Sequence, residues 1–551
     1  MKEFARTLDI FTSGLRSYHK AVDRFQLYEL FNFKASDFGL VPIHPVSSLL
    51  SSATLDSAGL LDEAHPFPQT FVGGKYTIVA AADRIFMASR LDPDILVPLD
   101  IYDILDPTTE KSITVGNCWS FADFWDTWFL TNGKTTVFAC GKDWIEGKTT
   151  KVYAADATPV RTAVSHKGRV LFGGFDPSNF WSATSNTFFS TWYNKEYDTG
   201  FDPYVTIDGE DRLMPINENF VWWSSIGGGD ALLLFLPSTV LEDGFLTSTY
   251  GATKPIFFDM LRQNMMGMAP MPFQGQVKEL LALGDYILAF SEVGVASMKP
   301  VSSPEPTYGI VNLQIGGIIS KGAVAGNDRF CLYVDNSGAL VMIGADMKHT
   351  VLGYREFFYN MIGTDVLVSF VPTPYTNSSF GMFYITNGTY SYCYDDKGLH
   401  ETWQVVKSAH YLNGAIVGSC DLSEDVADDE GRIGVDLGDL NEPGIKSIEW
   451  VEVDFEEIKH ETTYTPTLQV AIEYRYNRAS DGGWTSSAWK TVNKEGIVFF
   501  PISGVYFRLK IKVAKYGNFN FTNGSIGIKA GDKRFKRYFQ ISPSNAGPNT
   551  G

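Results

Sequence analysis

Short apolar runs separated by turn residues recur along most of the chain. The best punctuated stretch is Ser165 to Ala183, S-H-K-G-R-V-L-F-G-G-F-D-P-S-N-F-W-S-A. Arg169 to Phe172 reads as a short apolar strand. Gly173, Gly174, Asp176, Pro177, Ser178 and Asn179 form a turn cluster, and Phe180 to Ser182 begins the returning strand. Glycine supplies positive φ and proline pre-sets φ, so this pattern predicts a hairpin.

Looser copies of the same pattern begin near Gly74, Asp126, Gly168, Gly228, Leu283, Asn327 and Ser379, at intervals of 42 to 60 residues. Asn132-Gly133 and Asn387-Gly388 carry the strongest turn chemistry, because Asn-Gly suits a tight hairpin. An eighth unit is suggested by Ala415 to Gly418 with Arg432 to Val435. Hairpins at this spacing predict β-propeller blades stacked around an axis. The spacing centres on seven blades and is compatible with six to eight; a pair of β-sandwiches is the competing arrangement. Leu27 to Val41 is the expected strand for closing the ring.

The texture changes after Asn441-Glu442-Pro443-Gly444. Ile445 to Ile458, Leu468 to Tyr476 and Tyr506 to Val513 alternate apolar and polar residues, which predicts half-buried antiparallel strands. The expected organisation is therefore all-β. An N-terminal arm spans 1–65 and a propeller spans 66–440, with an insertion around 240–278. A β-sandwich-like domain spans 444–535, followed by an extended tail over 536–551.

Composition agrees with strands and turns: 51 Gly and 40 Phe occur in 551 residues. No stretch has the length and apolarity of a membrane helix, and the first residues lack a secretory h-region, so synthesis in a cytoplasm without membrane insertion is expected. The five cysteines, Cys118, Cys140, Cys331, Cys393 and Cys420, show neither paired spacing nor C-x-x-C. A formal charge of −18 argues against gripping nucleic acid through phosphate neutralisation.

Candidate chemistry is sparse. No phosphate-binding loop, nucleophile elbow, zinc-binding H-E-x-x-H or dinucleotide fingerprint is present. The histidines (His19, His44, His65, His166, His349, His400, His410, His460) are scattered and read as surface or turn residues. Asp395-Asp396-Lys397-Gly398 is one degenerate copy of the S-x-D-x-G-x-T-W turn found in sugar-cutting propellers. The run Asp421 to Glu430 holds six acids and reads as a solvated loop, without the calcium-loop pattern. Met260, Met265, Met266, Met268 and Met271 suit either buried filler or an adaptable contact loop. No catalytic, cofactor or metal residue is assigned, and no enzyme is expected.

Several segments, in order, resemble the β-propeller tail nozzle or tail-hub proteins of short-tailed bacteriophages. They are Asn32-Phe33 with Gly39 to Pro42; Trp119 to Asp126 with Thr131-Asn132-Gly133; and Arg169, Gly173-Gly174, Pro177 and Trp181-Ser182. Ile226 to Asp230, Gly294-Val295 with Met298 to Pro300, Gly316 to Gly326 and Leu352 to Phe358 complete the set. The resemblance covers roughly residues 30 to 440 and omits the C-terminal domain. It implies a structural protein of the virion tail, a homo-oligomeric ring of six copies below the portal and adaptor proteins, with tail fibres or spikes as further partners. Genomic DNA would pass through the lumen without specific binding, and an acidic lumen would keep phosphate from sticking. The alternatives are a carbohydrate-binding or carbohydrate-cleaving propeller, such as a receptor-binding tail component, and a propeller scaffold of the host.

Overall fold

The computed structural model describes residues 3–7, 14–15, 26–43, 46–60, 68–73, 76–89, 92–103, 108–116, 118–124, 127–139, 151–155, 160–175, 204–207, 210–213, 218–224, 226, 267–301, 307–372, 381–412, 415–420, 430–440, 444–457, 467–476, 483–514, 517 and 519–530. The chain is all-β and divides into two units. One comprises Val46–Ser391 and Gln404–Leu422; the other comprises Met1–Pro45, Tyr392–Trp403 and Ser423–Gly551.

The first unit is a propeller of seven blades among the described residues, with a separate two-stranded sheet, Tyr204–Ile207 and Glu210–Leu213. Blade one contains Gln69–Val72, Tyr76–Ala80, Ile85–Ser89 and Asp92–Pro98. Blade two contains Ser120–Phe124, Thr127–Thr131, Thr136–Phe138 and Lys151–Ala155, with Asp100–Asp103 added in parallel outside. Blade three contains Thr162–His166, Arg169–Gly173, Phe220–Trp223 and Gly267–Pro270. Blade four runs from Glu279–Leu283 through Tyr286–Phe290 and Val295–Val301 to Thr307–Asn312. Blade five runs from Val324–Gly326 through Phe330–Val334 and Leu340–Gly344 to His349–Gly353. Within this unit blade six is the hairpin Leu367–Val371 and Met382–Thr386, and blade seven is Val406–Leu412 with Ala415–Cys420.

The first strand of each sheet packs on the first strand of the next from blade two onward, and that of blade seven packs on that of blade one. Blades one and two meet where Phe71 stacks on Phe121, ring centroids 5.2 Å apart. These seven first strands are therefore the inner strands of a closed ring.

The core lies between neighbouring sheets. Ile78, Trp128, Leu130 and Val152 fill the first joint; Leu171, Trp223, Val277 and Ile287 fill the space between blades three and four. Leu288, Phe290, Tyr333 and Ile343 join blades four and five. Burying each such large side chain stabilises by about 1.5–3 kcal/mol, so the ring is held mainly by apolar contacts between blade faces.

Two sequence expectations are corrected here. Leu27 to Val41 does not close the ring: Gln26–Phe31 pairs with Glu430–Gly438 in the other unit. The strand added to blade seven is Ser47–Ser48, parallel to Val417 and Gly418. The domain limits also differ, because the second unit recruits residues 1–45, 392–403 and 423–443 besides the C-terminal segment. The unit expected to begin near Gly228 lies outside the described residues, which omit 227–266. Blade three draws its strands from between Thr162 and Pro270. Of the suggested eighth unit, Ala415 to Gly418 falls in blade seven, paired with Val406–Leu412, whereas Arg432 to Val435 pairs within the second unit.

The second unit contains two sheets. One is ordered Phe33–Ser36, Gly39–Pro42, Phe519–Ala530, Lys446–Glu457 and Ile497–Gly504, with Glu3–Thr7 also on Phe519–Ala530. The other includes Gly398–Glu401, Gln26–Phe31, Glu430–Gly438, Tyr506–Ala514 and Leu468–Arg475. The alternation read at Tyr506 to Val513 appears directly, with Phe507, Leu509, Ile511 and Val513 buried and Arg508, Lys510 and Lys512 on the opposite face. Asn32 adopts φ 64° and is fully buried, with its polar groups satisfied. Its side chain donates to the Glu430 carbonyl and accepts from the Trp403 N–H, both at 3.0 Å.

Candidate functional site at the ring axis

The inner strands present polar residues at their leading ends: Gln69, Ser120, Thr162 and Glu279 are each the first residue of their strand, and Ser320-Lys321 stand just before blade five. A polar group at this place meets the neighbouring blade, and apolar residues follow it into the sheet. The Gln69 side-chain oxygen accepts from the Trp119 N–H at 2.6 Å. Ser320 donates its hydroxyl to the Val366 carbonyl at 3.1 Å and accepts from the Val366 N–H at 2.8 Å. These contacts staple blade one to two and blade five to six.

Glu279 organises the centre. Its Oε1 accepts from Ser120 Oγ of blade two at 3.0 Å and from Thr162 Oγ1 of blade three at 2.5 Å. Thr162 Oγ1 in turn accepts from the Leu280 N–H, and the Ala163 N–H donates to Ser120 Oγ. Lys321, from the loop before blade five, donates its ammonium to the Thr131 carbonyl of blade two at 3.2 Å. The Cys118 thiol donates back to the Lys321 carbonyl at 3.2 Å. One carboxylate and one ammonium thus tie blades two to five together.

Both charges are withdrawn from water: Glu279 is 8% exposed and Lys321 is 3% exposed. Burial pushes the Glu279 carboxyl up, and Lys321 and the hydroxyl donors offset this only in part. Burial pulls the Lys321 ammonium down against the opposing influence of Cys118 and Glu279. Burial also pushes the Cys118 thiol up to about 12, which leaves it a weak donor and no nucleophile at neutral pH.

No family model and no curated protein matches the chain. Among solved structures, it is similar to PorZ, a surface component of the type-IX secretion system of Porphyromonas gingivalis. That likeness has a TM-score of 0.32 and 7% identity over 67% of this chain, and it spans only 35% of PorZ. It is also similar to Kluyveromyces lactis Hsv2, with TM-score 0.26 and 7% identity over 61% of this chain and 97% of that one. A glycoside hydrolase gives TM-score 0.23 and 9% identity over 83% of this chain and 97% of that one.

Among the described residues, those singled out by sequence are not gathered into a reactive centre; His19, His44, His65 and His460 lie outside the described residues. His166 caps blade three, with its Nε2 3.1 Å from the Gly284 carbonyl. His410 joins blade seven to blade one, 2.9 Å from the Thr70 carbonyl. In the second unit, the degenerate sugar-propeller turn is structural: Asp395 Oδ1 accepts from the Lys397 N–H at 2.9 Å and lies 3.0 Å from His400 Nε2. Burial opposes ionisation of Asp395, yet His400 and the turn N–H hold its carboxyl below the usual range. Cys393 lies directly across this hairpin from His400, completing a cysteine, histidine and aspartate on neighbouring positions. The thiol is fully buried and its ionisation is pushed far up, which rules out a thiolate role in this conformation.

Among the described residues no group of three or more histidine, cysteine and acidic side chains is arranged to hold a metal ion. Asp176, Pro177, Trp181 and the acids at 421–429 lie outside the described residues, as do Met260, Met265 and Met266; Met271 is buried core. Sequence reading passed over Glu279 and Lys321. The available signals were a charged residue opening the apolar inner strand of blade four, at the position where blades one to three carry Gln, Ser or Thr, and a lysine shortly ahead of blade five.

Proposed function

We propose that the chain is a structural virion protein, a tail nozzle or hub acting as a ring of copies below the portal and adaptor. The observation that carries this reading is the cross-blade bonding: Glu279, Ser120, Thr162, Lys321 and Thr131 bond blades two to five together and are buried. Such bonding serves rigidity. A conduit built from this protein would run between copies, and the acidic charge of −18 per chain would keep a passing polyanion from adhering.

Family-resembling segments that are described also act as joints, which suits a scaffold. Trp119 donates from its indole to the Ala81 carbonyl of blade one at 2.8 Å. Arg169 binds strands within blade three by donating to the Ser224 carbonyl at 2.6 Å. The Gly316 to Gly326 segment supplies Ser320 and Lys321. A glycoside-cleaving site needs two carboxyl groups facing an open sugar cleft, whereas Glu279 is committed to hydroxyl donors inside the ring.

Mass spectrometry of purified phage particles, with negative-stain microscopy of the isolated protein, tests the reading. Presence in the particle and ring-shaped assemblies are expected. A monomer absent from particles overturns it.

A further inference from the structure

Two opposite charges are buried at the ring axis, yet no ion pair joins Glu279 to Lys321 among the described residues. Each is bonded elsewhere: Glu279 to the hydroxyls of Ser120 and Thr162, Lys321 to the carbonyl of Thr131. Burying a charge without a close counter-charge costs more than the hydroxyl bonds return. The cost falls on the joint of blades two, three, four and five, because those blades supply every partner.

We propose that the axis is a proton-sensitive latch: uptake of a proton by Glu279 on mild acidification tightens the junction of blades two to five. The neutral carboxyl removes the buried negative charge, and its Oε1 still accepts from Ser120 and Thr162. The charged and titratable groups that act on the pair are Cys118 of blade two, Arg161 ahead of blade three, and Asp365 ahead of blade six, which acts through Cys118.

The direction follows from linkage. A carboxyl raised above its unfolded value makes the folded state bind more protons, so stability is greatest below the unfolded value and is lost as pH rises through the folded one. A lowered ammonium acts oppositely, contributing stability at alkaline pH that is lost as pH falls through its folded value. The junction is therefore weakest where both groups are charged, and acid relieves it through Glu279. The proposal does not depend on the virion reading.

Hydrogen exchange of the Ala163 and Leu280 amides in the full chain tests it, because these N–H groups donate to Ser120 and Thr162 in the same network. Exchange is measured between about pH 7.5 and 5.5, above the ordinary glutamate range, and corrected for intrinsic pH dependence. In the wild type, protection should rise on acidification, by at most about tenfold for each pH unit below the folded carboxyl's own value. Glu279→Gln should abolish that rise. A flat or falling wild-type profile, or an equal rise in Glu279→Gln, overturns the latch. Should Glu279→Gln fail to fold, Lys321→Met gives the second reading. Removing the ammonium favours the neutral carboxyl, so the rise should move to higher pH; an unmoved rise overturns the proposal.

Discussion

Lys321 of the loop entering blade five donates to the main-chain carbonyl of Thr131 in blade two, 3.2 Å away, so two blades that are not neighbours in the ring are bonded directly. Thr131 itself donates its hydroxyl to the Val160 carbonyl on the approach to blade three. One threonine thus receives the cross-ring bond and passes a second to the adjacent blade.

Thr162 is the next most connected member. Its hydroxyl serves both Glu279 and the Leu280 N–H. Thr162→Val should orphan the Leu280 N–H and leave Glu279 with Ser120 as its one hydroxyl donor of the two, destabilising by roughly 2–3 kcal/mol, while Thr162→Ser should retain most of the stability. Urea unfolding of the two variants checks this, with equal losses counting against a hydrogen-bond role.

Two glycines separate close approach from backbone conformation. A Cβ on Gly317 would lie 2.0 Å from the Ser291 carbonyl oxygen, where blades four and five meet. Gly317→Ala should cost about 3 kcal/mol or more, because backbone must move. Gly388 has φ 88° and open space around it, so Gly388→Ala should cost only about 1–2 kcal/mol. Thermal melts that rank these variants in the reverse order would refute the account.

His410 gives the closing joint its own pH dependence. Burial holds its imidazole below the usual histidine value, and the bond to the Thr70 carbonyl resists this only partly. The folded state then binds fewer protons than the unfolded chain. Stability from this group is complete above the ordinary histidine value and is lost as pH falls through the lower folded one. Replacing His410 with Gln should remove that acid-side loss. Melting temperature against pH for the two proteins provides the comparison.

Cys331 and Cys118 are both pushed up to about 12 by burial, and Cys393 is pushed further in the same direction. A thiol reagent should label none of the three in the native protein and all three in denaturant. Fast native labelling of any one would contradict the packing.

Much of the architecture was legible because turn chemistry is local. Asn132 and Asn387 each accept two turn N–H groups through the side-chain oxygen, and the glycines that follow have φ of 86° and 88°. Alternation in the C-terminal strands was equally local. What escaped were relations between distant residues. Glu279 and Lys321 each look like an ordinary charge beside a strand until the ring brings both to the axis. The sheet containing Gln26–Phe31 takes partners from both ends of the chain, so no window of sequence reveals it.

Blade seven carries a temporal consequence. Its parallel addition, Ser47–Ser48 on Val417–Gly418, is followed at once by the Leu49 N–H donating to the Gly418 carbonyl at 2.9 Å. During synthesis the early partner must wait, unpaired, until the late one has been made. Closure therefore comes last and carries a large loop-closing entropy, which slows it. Until then Leu49, Leu50 and Leu55, which pack with Val79 and Phe86 in the finished ring, have only part of their shelter. A nascent chain halted before residue 417 would be a horseshoe with a sticky end, the species from which misassembly or exchange between copies would begin.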